Sequence, residues 1–174
     1  MSINLSLKRI DSIMISANRR RLSRLNIMNE TLRLAARELS NSGNGTPRSE
    51  KYGEGKGYKD IGYRIKGEEV REKMDEMLRD AMAMLEECPD ELKKSEAFSS
   101  LERMIDDQSK MTEDGRILKA GEEISPESMQ TPHEPDATYR KKSGKGNVGY
   151  VGNIVEACDG GKILITGYDL QKNS

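Results

Sequence analysis

The chain has 174 residues, which is the size of one domain or of part of one. Hydrophobic and charged residues each make up 34% and Trp is absent, so the core is lean, as in a fragment or in a helical domain with solvated faces. The two cysteines form no CxxC pair, which argues against a zinc site, and no apolar run approaches the roughly 20 residues of a membrane span. We therefore expect a cytoplasmic protein that makes no membrane contact.

Residues 9–15 predict a buried strand, because three isoleucines and Met14 form a short, largely β-branched apolar run. Asp11 lies inside this run. A buried ionised Asp is costly unless it is paired, hydrogen-bonded or bound to a metal, so its presence needs a reason. One explanation is a turn or capping Asp at a strand end, and the other is a metal ligand presented from a central strand.

Apolar residues at helical spacing predict three helices, at residues 20–40, at residues 68–87 and after Ser95. We expect Ser16 or Asn18 to cap the first helix and Ser95 to cap the third. The methionines of the second helix lie along its apolar stripe. They are predicted to fill a core or a seam between helices, with a partner-binding groove as the alternative.

Three segments between these elements are predicted to be loops. Residues 51–67 are rich in Gly, Lys and Tyr but lack the spacing of a phosphate loop, so we expect a mobile loop. Residues 109–131 read as a connector with little regular structure. His133 lies beside Glu134 and Asp136, which is consistent either with a metal cluster or with a solvated, proline-bounded loop.

The C-terminal part predicts an antiparallel β-meander, with strands at residues 137–142, 148–157 and 162–170. A Gly-Lys-Gly-Asn loop is expected to join the first two strands, and Asp-Gly-Gly at residues 159–161 is a hairpin-turn signal for the next pair. Residues 148–155 are almost continuously apolar apart from Gly and Asn. This run predicts an interior strand that is covered on both faces.

Positive charge gathers near both ends of the chain, and acidic residues dominate residues 68–123 between them. This distribution indicates that the sheet, rather than the helical region, contacts the phosphate groups of a nucleic acid. Such basic runs also occur as solvated faces. The basic candidates for DNA binding are Arg19, Arg20, Arg21, Arg24, Arg140, Lys141, Lys142 and Lys145.

Two motifs, in this order, resemble the transposases of bacterial insertion sequences that carry a DDE catalytic triad. The first is the Asp11-Ser12 strand followed by a helix that starts with Leu-Ser-Arg-Leu at residues 22–25. The second is Pro-Asp-Ala-Thr-Tyr-Arg at residues 135–140, which leads into the Gly-Tyr hairpin at residues 149–150. The resemblance extends over nearly the whole chain, is weakest between residues 43 and 126, and corresponds to a middle slice of such an enzyme.

The resemblance implies an α+β fold with a partial RNase H-like antiparallel sheet and a long helical insertion between the first strand and the C-terminal β-meander. Residues 1–19 would then carry the first strand of the catalytic core. Residues 20–130 would form the helical insertion with its loops, and residues 131–174 the antiparallel meander. A truncated sheet of this kind is expected to leave an open edge and exposed apolar surface.

In the family, three carboxylates hold two divalent ions, Mg²⁺ or Mn²⁺, that drive phosphoryl transfer. The resemblance makes Asp11 the first carboxylate, with a catalytic role as a metal ligand, and gives Asp136 a structural or site-lining role. The second Asp and the Glu belong to elements after the meander, and Asp169 comes too early to be one of them. We therefore expect that this chain alone does not hold the ions and does not cut or join DNA.

The partners that the resemblance implies are DNA, at the transposon ends, and either the complementary half of the transposase or a second copy of this chain. Two other interpretations stay open. The chain could be a non-catalytic remnant that binds DNA through its basic residues. It could also be a helical interaction module whose Met-rich helix docks a partner.

Overall fold

The computed structural model describes residues 8–17, 22–53, 65, 67–142, 144–159 and 162–172. Within them the chain is α+β, with four α-helices and two antiparallel sheets of four and two strands. The helices are α1 (Arg24–Asn41), α2 (Pro47–Gly53), α3 (Glu68–Glu86) and α4 (Glu96–Gln108), and a short 3-10 helix spans Gly121–Glu123. The strands are β1 (Lys8–Ser16), β2 (Ser109–Thr112), β3 (Gly115–Leu118), β4 (Thr138–Lys142), β5 (Lys145–Asp159) and β6 (Lys162–Lys172).

The predicted helices are present, but the first begins later than expected. Ser23 is in an extended conformation (φ −70°, ψ 161°), and its Oγ accepts a hydrogen bond from the Asn26 N–H at 3.3 Å, so the helix starts at Arg24. The cap predicted at Ser16 is wrong because Ser16 ends β1, and Asn18 lies outside the described residues. The cap predicted at Ser95 is confirmed, since its Oγ accepts from the Phe98 N–H at 3.3 Å.

All four helices contribute to a single hydrophobic core, together with Leu118 and Met129. Three methionines of α3 lie inside this core, with Met77 and Met84 fully buried and Met74 7% exposed. The predicted core role of these three methionines is therefore confirmed, whereas Met82 of the same helix is half-buried and packs against the core from outside. None of the described helices is both long enough and apolar enough to cross a bilayer.

Helix α2 is held to α3 by polar contacts to Asp80. This carboxylate accepts hydrogen bonds from the Tyr52 hydroxyl at 2.6 Å, from Lys51 Nζ at 2.6 Å and from Arg48 Nη1 at 2.9 Å. Burial acts to raise the pKa of Asp80, but the hydrogen bonds from Lys51 and Tyr52 outweigh it and hold the pKa below its ordinary value. The predicted loop at residues 51–67 therefore starts after the end of α2 at Gly53, and most of it lies outside the described residues.

The prediction that residues 109–131 have little regular structure is wrong, because β2 and β3 form a hairpin there. Gly115, with φ 116°, makes the turn possible, and the Thr112 hydroxyl donates to Gly115 O at 2.6 Å. Leu118 at the end of β3 packs into the helical core. This hairpin is difficult to predict from the sequence because each of its strands has only four residues and the apolar residues among them are few.

Strand β5, with 15 residues, is the centre of the larger sheet. Gly149 pairs with Ser16 of β1 and with Thr138 of β4, so β1 lies on one edge of β5 while β4 and β6 follow each other along the opposite edge. The loop predicted between the first two meander strands is shorter than expected, because Lys142 pairs with Lys145.

The larger sheet is far more exposed than the sequence predicts. Ile10 is 70% exposed and Tyr168 is 87% exposed, and neither β1, β5 nor β6 supplies a residue to the helical core. The prediction of a buried first strand is therefore wrong for the described residues. Strand β5 is hydrogen-bonded on both edges and Val151 is buried, but the side chains of Ile154 and Val155 are only half-buried, so the expected cover on both of its faces is incomplete.

Gly149 is the glycine at which an added Cβ would disturb the junction of β1 and β5 most strongly among the described glycines. A Cβ added there would collide with Ile15 O and would lie 2.7 Å from Ala17 N, and the residue has φ 153°. We predict that Gly149→Ala weakens the β1–β5 pairing by about 2 kcal/mol or more. Amide hydrogen exchange measures the effect, and exchange in β1 should become at least about 10-fold faster while α1 is unchanged.

Gly121→Ala is the matched control, because a Cβ at Gly121 would have no neighbour within 4 Å. It should leave exchange in β1 unchanged. Equal protection of β1 in Gly149→Ala and in the wild type would contradict the close approach of the two strands.

Candidate functional site

Asp11 lies in the middle of β1 and pairs across the sheet with Ile154. Its side chain is 56% exposed, forms an ion pair with Arg9 at 3.5 Å, and accepts the Ser12 N–H at 2.9 Å. The expectation of a buried Asp11 is therefore wrong, and no burial penalty has to be offset at this position. Asp11 is instead a solvent-accessible carboxylate whose backbone is held by a regular ladder.

The register places a second carboxylate on the face of the sheet that carries Asp11. Glu156 pairs with Arg9, two residues before Asp11, so the two carboxylates are diagonal neighbours, with Cα atoms about 7–8 Å apart in a regular sheet. No local sequence pattern marks Glu156 as a functional residue. That Glu156 lies on the same face of the sheet as Asp11 becomes apparent only when the register of β1 with β5 is known.

The described residues do not complete a site for a metal ion. None of them form a group of three or more His, Cys, Asp or Glu side chains that could hold an ion. Asp169 pairs with Asn153, whose side chain contacts the Ser12 hydroxyl, so it belongs to the face opposite Asp11. Carboxylate oxygens suit Mg²⁺ or Mn²⁺, but Asp11 and Glu156 supply only two such groups.

Asp136 joins the sheet to the helical body. Its Oδ1 lies 2.7 Å from Lys172 Nζ at the end of β6 and 3.9 Å from Arg103 Nη1 in α4. The hydrogen bond from Lys172 holds the pKa of Asp136 below its ordinary value. Lys172 is four residues from Tyr168, which is in line with Asp11 across the sheet, so the backbone of Lys172 is about 13 Å along the strand from the level of Asp11.

Three of the basic candidates lie together at the tip of the β4–β5 hairpin. Arg140, Lys141 and Lys145 are exposed there, and Lys142 belongs to the same strand pair. Because side chains alternate between faces along a strand, Arg140 and Lys141 place positive charge on both faces of the tip. Arg24 is elsewhere, at the start of α1, and Arg19, Arg20 and Arg21 lie outside the described residues.

His133 contacts Glu30 of α1 and not the carboxylates that flank it in the sequence. Its Nε2 lies 2.8 Å from Glu30 Oε1, and Arg33 binds both Glu30 oxygens, at 2.6 and 3.0 Å. Burial acts to raise the pKa of Glu30, but hydrogen bonds from Arg33 and His133 outweigh it and lower the pKa. The cluster ties the 131–137 loop to α1, which favours a structural role for His133 over the alternative of a metal ligand.

Comparison of the chain with protein-family models, with curated proteins and with solved structures found no match. The resemblance to DDE transposases therefore depends on the motifs around Asp11 and Asp136.

The Glu30 cluster predicts a dependence of stability on pH. Because the folded-state pKa of Glu30 is lowered, the charged carboxylate stabilises the fold above its unfolded pKa of about 4.3, and this contribution is lost as the pH falls through the folded-state pKa. We predict that Glu30→Gln lowers the free energy of unfolding at pH 7 by about 2 kcal/mol and that the difference from wild type shrinks below about pH 4.

Urea unfolding at pH 7, 5, 4 and 3 measures this difference. Glu102→Gln is the control, because Glu102 is an exposed helical carboxylate and its loss should change stability by less than about 0.5 kcal/mol. Parallel pH profiles for wild type and Glu30→Gln would contradict the role of this cluster.

Proposed function

We propose that this chain is part of the RNase H-like core of a DDE-type transposase of a bacterial insertion sequence. In this proposal Asp11 is the first carboxylate of the triad. By itself the chain does not cut or join DNA, because the resemblance assigns it only one of the three carboxylates.

The observation that carries the proposal is the long-range pairing of β1 with β5. Ser12 and Asn153 are 141 residues apart in the chain, yet the Ser12 hydroxyl donates to Asn153 Oδ1 at 2.7 Å. The resemblance calls for an Asp-bearing strand beside a C-terminal antiparallel meander, with helices inserted between them. Nothing in the composition of residues 8–16 alone would select that partner, so the pairing supports the family interpretation.

Asp11 is suited to the role of a metal ligand because a hydrogen-bonded strand restricts its position. In the family, the divalent ions activate water or a DNA 3′-hydroxyl and stabilise the leaving oxygen. The contribution of this chain is to present the Asp11 carboxylate to solvent from a backbone held by β5, with Glu156 on the same face. No reaction step is assigned to the described residues, since they do not complete the ion site.

The open face of the sheet supports a core that is completed by other protein. The register puts several exposed apolar side chains on the face of Asp11: Ile13, Ile15, Ile163, Ile165, Tyr168 and Leu170. An apolar surface of this extent is unusual on a monomer and marks an interaction site. A complementary transposase segment or a second copy of this chain would bury it and would place Asp11 in a largely apolar setting.

A non-catalytic remnant that binds DNA is the second candidate, and the basic tip of the β4–β5 hairpin favours it. Both proposals require that this tip contacts the DNA backbone. They differ only in whether Asp11 takes part in phosphoryl transfer when the rest of the core is present.

We predict that the chain binds duplex DNA with a salt-dependent affinity and that Arg140→Gln/Lys141→Gln weakens this binding. Each lost phosphate contact should lower the slope of log K against log salt by about 0.9, so the double variant should lower it by about 2. Fluorescence anisotropy with a labelled duplex at several salt concentrations measures the slope.

Lys93→Gln/Lys94→Gln is the matched control, because it removes two exposed, adjacent positive charges from the acidic helical body. Its slope should equal that of the wild type. Absence of binding at low salt would contradict the DNA-binding part of the proposal. Addition of Mg²⁺ to the complex should leave the DNA intact, and nicking that is lost in Asp11→Ala would contradict the predicted inactivity.

A further inference from the structure

A cleft of about 560 Å³ lies where the helical body meets the sheet. Its walls are the start of α1, Gln108 at the end of α4, the 121–130 loop and Tyr139 of β4. No Asp or Glu is among its lining residues, and Arg24 is the one charged side chain among them. In a chain with 30 acidic residues, this composition makes the cleft favourable for an anion.

The Arg24 guanidinium is held in place but lacks a carboxylate partner among the described residues. Its Nε donates to Gln108 Oε1 at 2.8 Å, and its Nη2 lies 3.4 Å from Gln108 O. Burial, followed by repulsion from Arg71, lowers the pKa of Arg24. Both causes indicate a positive charge that a bound anion would stabilise.

The N-terminus of α1 adds partial positive charge to the same wall. The helix has 18 residues and no acidic residue in its first turn. Ser23 accepts the N–H groups of Asn26 and Ile27, whereas those of Arg24 and Leu25 have no acceptor within the helix. An anion at this end would complete the hydrogen bonds and would interact favourably with the helix dipole.

Ser128 gives an independent indication that a ligand belongs here. It lines the cleft and is 2% exposed, yet its Oγ has no hydrogen-bond partner among the described residues. A buried hydroxyl without a partner is costly. The Ser128 Oγ is itself enclosed, so the side chain would have to rotate about Cα–Cβ to donate to an oxygen acceptor in the cleft. Two acids close in sequence to the lining residues have partners of their own, since Asp107 accepts the Met129 N–H at 2.7 Å and Glu123 pairs with Lys110.

We propose that this cleft binds one phosphate group, through the Arg24 guanidinium, the first-turn N–H groups of α1 and the Ser128 hydroxyl. Guanidinium, backbone N–H and hydroxyl donors are the groups that bind phosphate oxygens. The phosphate is either a phosphodiester of DNA or a free phosphate. The DNA source rests on the proposed function, and it gains support from Tyr139, which lines the cleft and shares its face of β4 with Lys141 of the basic hairpin tip.

Ser23→Asp tests the proposal without removing the helix cap. Asp caps a helix as well as Ser does, so the variant should stay folded, but its carboxylate would repel an anion at this end of α1. Titration calorimetry with inorganic phosphate at fixed ionic strength should show binding to the wild type that is at least about 10-fold weaker in Ser23→Asp. Ser128→Ala, which removes only the hydroxyl, should weaken binding about fivefold.

Ser95→Asp is the matched control. Ser95 caps α4 with the same 3.3 Å hydrogen bond and nearly the same backbone angles (φ −68°, ψ 159°), but it is not part of the cleft. It should bind phosphate as the wild type does, within about twofold. No binding to the wild type, or equal binding by wild type, Ser23→Asp and Ser128→Ala, would overturn the proposal.

Anisotropy with the labelled duplex separates the two sources of phosphate. Weaker DNA binding in Ser23→Asp than in Ser95→Asp assigns the cleft to a DNA phosphodiester. Equal DNA binding, with inorganic phosphate binding lost only in Ser23→Asp, assigns it to free phosphate. DNA binding that depends on Arg140 and Lys141 is a separate result, so the proposed function and the cleft can fail independently.

Discussion

The ladder between β1 and β5 is the constraint on which the placement of Asp11 depends. Nine residues near the start of the chain pair in register with the middle of the long C-terminal strand, and the helices lie in the sequence between them. Strand β1 is bonded to no other strand in the described part of the chain. Asp11, Glu156 and the apolar side chains around them share a face only because this register is kept.

Apolar residues are buried in the helical body but largely exposed on the larger sheet. The helical body buries Phe98, Met28 and Leu32 completely in a core of its own, whereas the larger sheet leaves most of its isoleucines in solvent. A sheet face of this kind gains stability when another surface covers it. The same cover would lower the dielectric constant around Asp11 and would make its charge costly unless it is paired.

Local periodicity was sufficient to predict α1, α3 and α4, the role of Met77 and Met84, and the cap at Ser95, because these features depend on neighbours within a few residues. It did not predict α2, which has only seven residues. The placement of Asp11 on a strand next to the meander was also predicted. The exposure of this strand was not predicted, because the β-branched run of residues 9–15 does not indicate whether another part of the protein covers the sheet. The contact of His133 with Glu30 spans 103 residues, and the cleft beside Arg24 joins four separate segments, so neither leaves a local pattern.

Disulfide trapping tests the register of β1 and β5 most directly. The side chains of Ser12 and Asn153 touch across the sheet, so Ser12→Cys/Asn153→Cys should form a disulfide on oxidation, which peptide mapping would identify. Ile13→Cys/Asn153→Cys places its two cysteines on opposite faces and should not form one. Failure of the first pair, or equal trapping of both pairs, would contradict the register and with it the placement of Asp11.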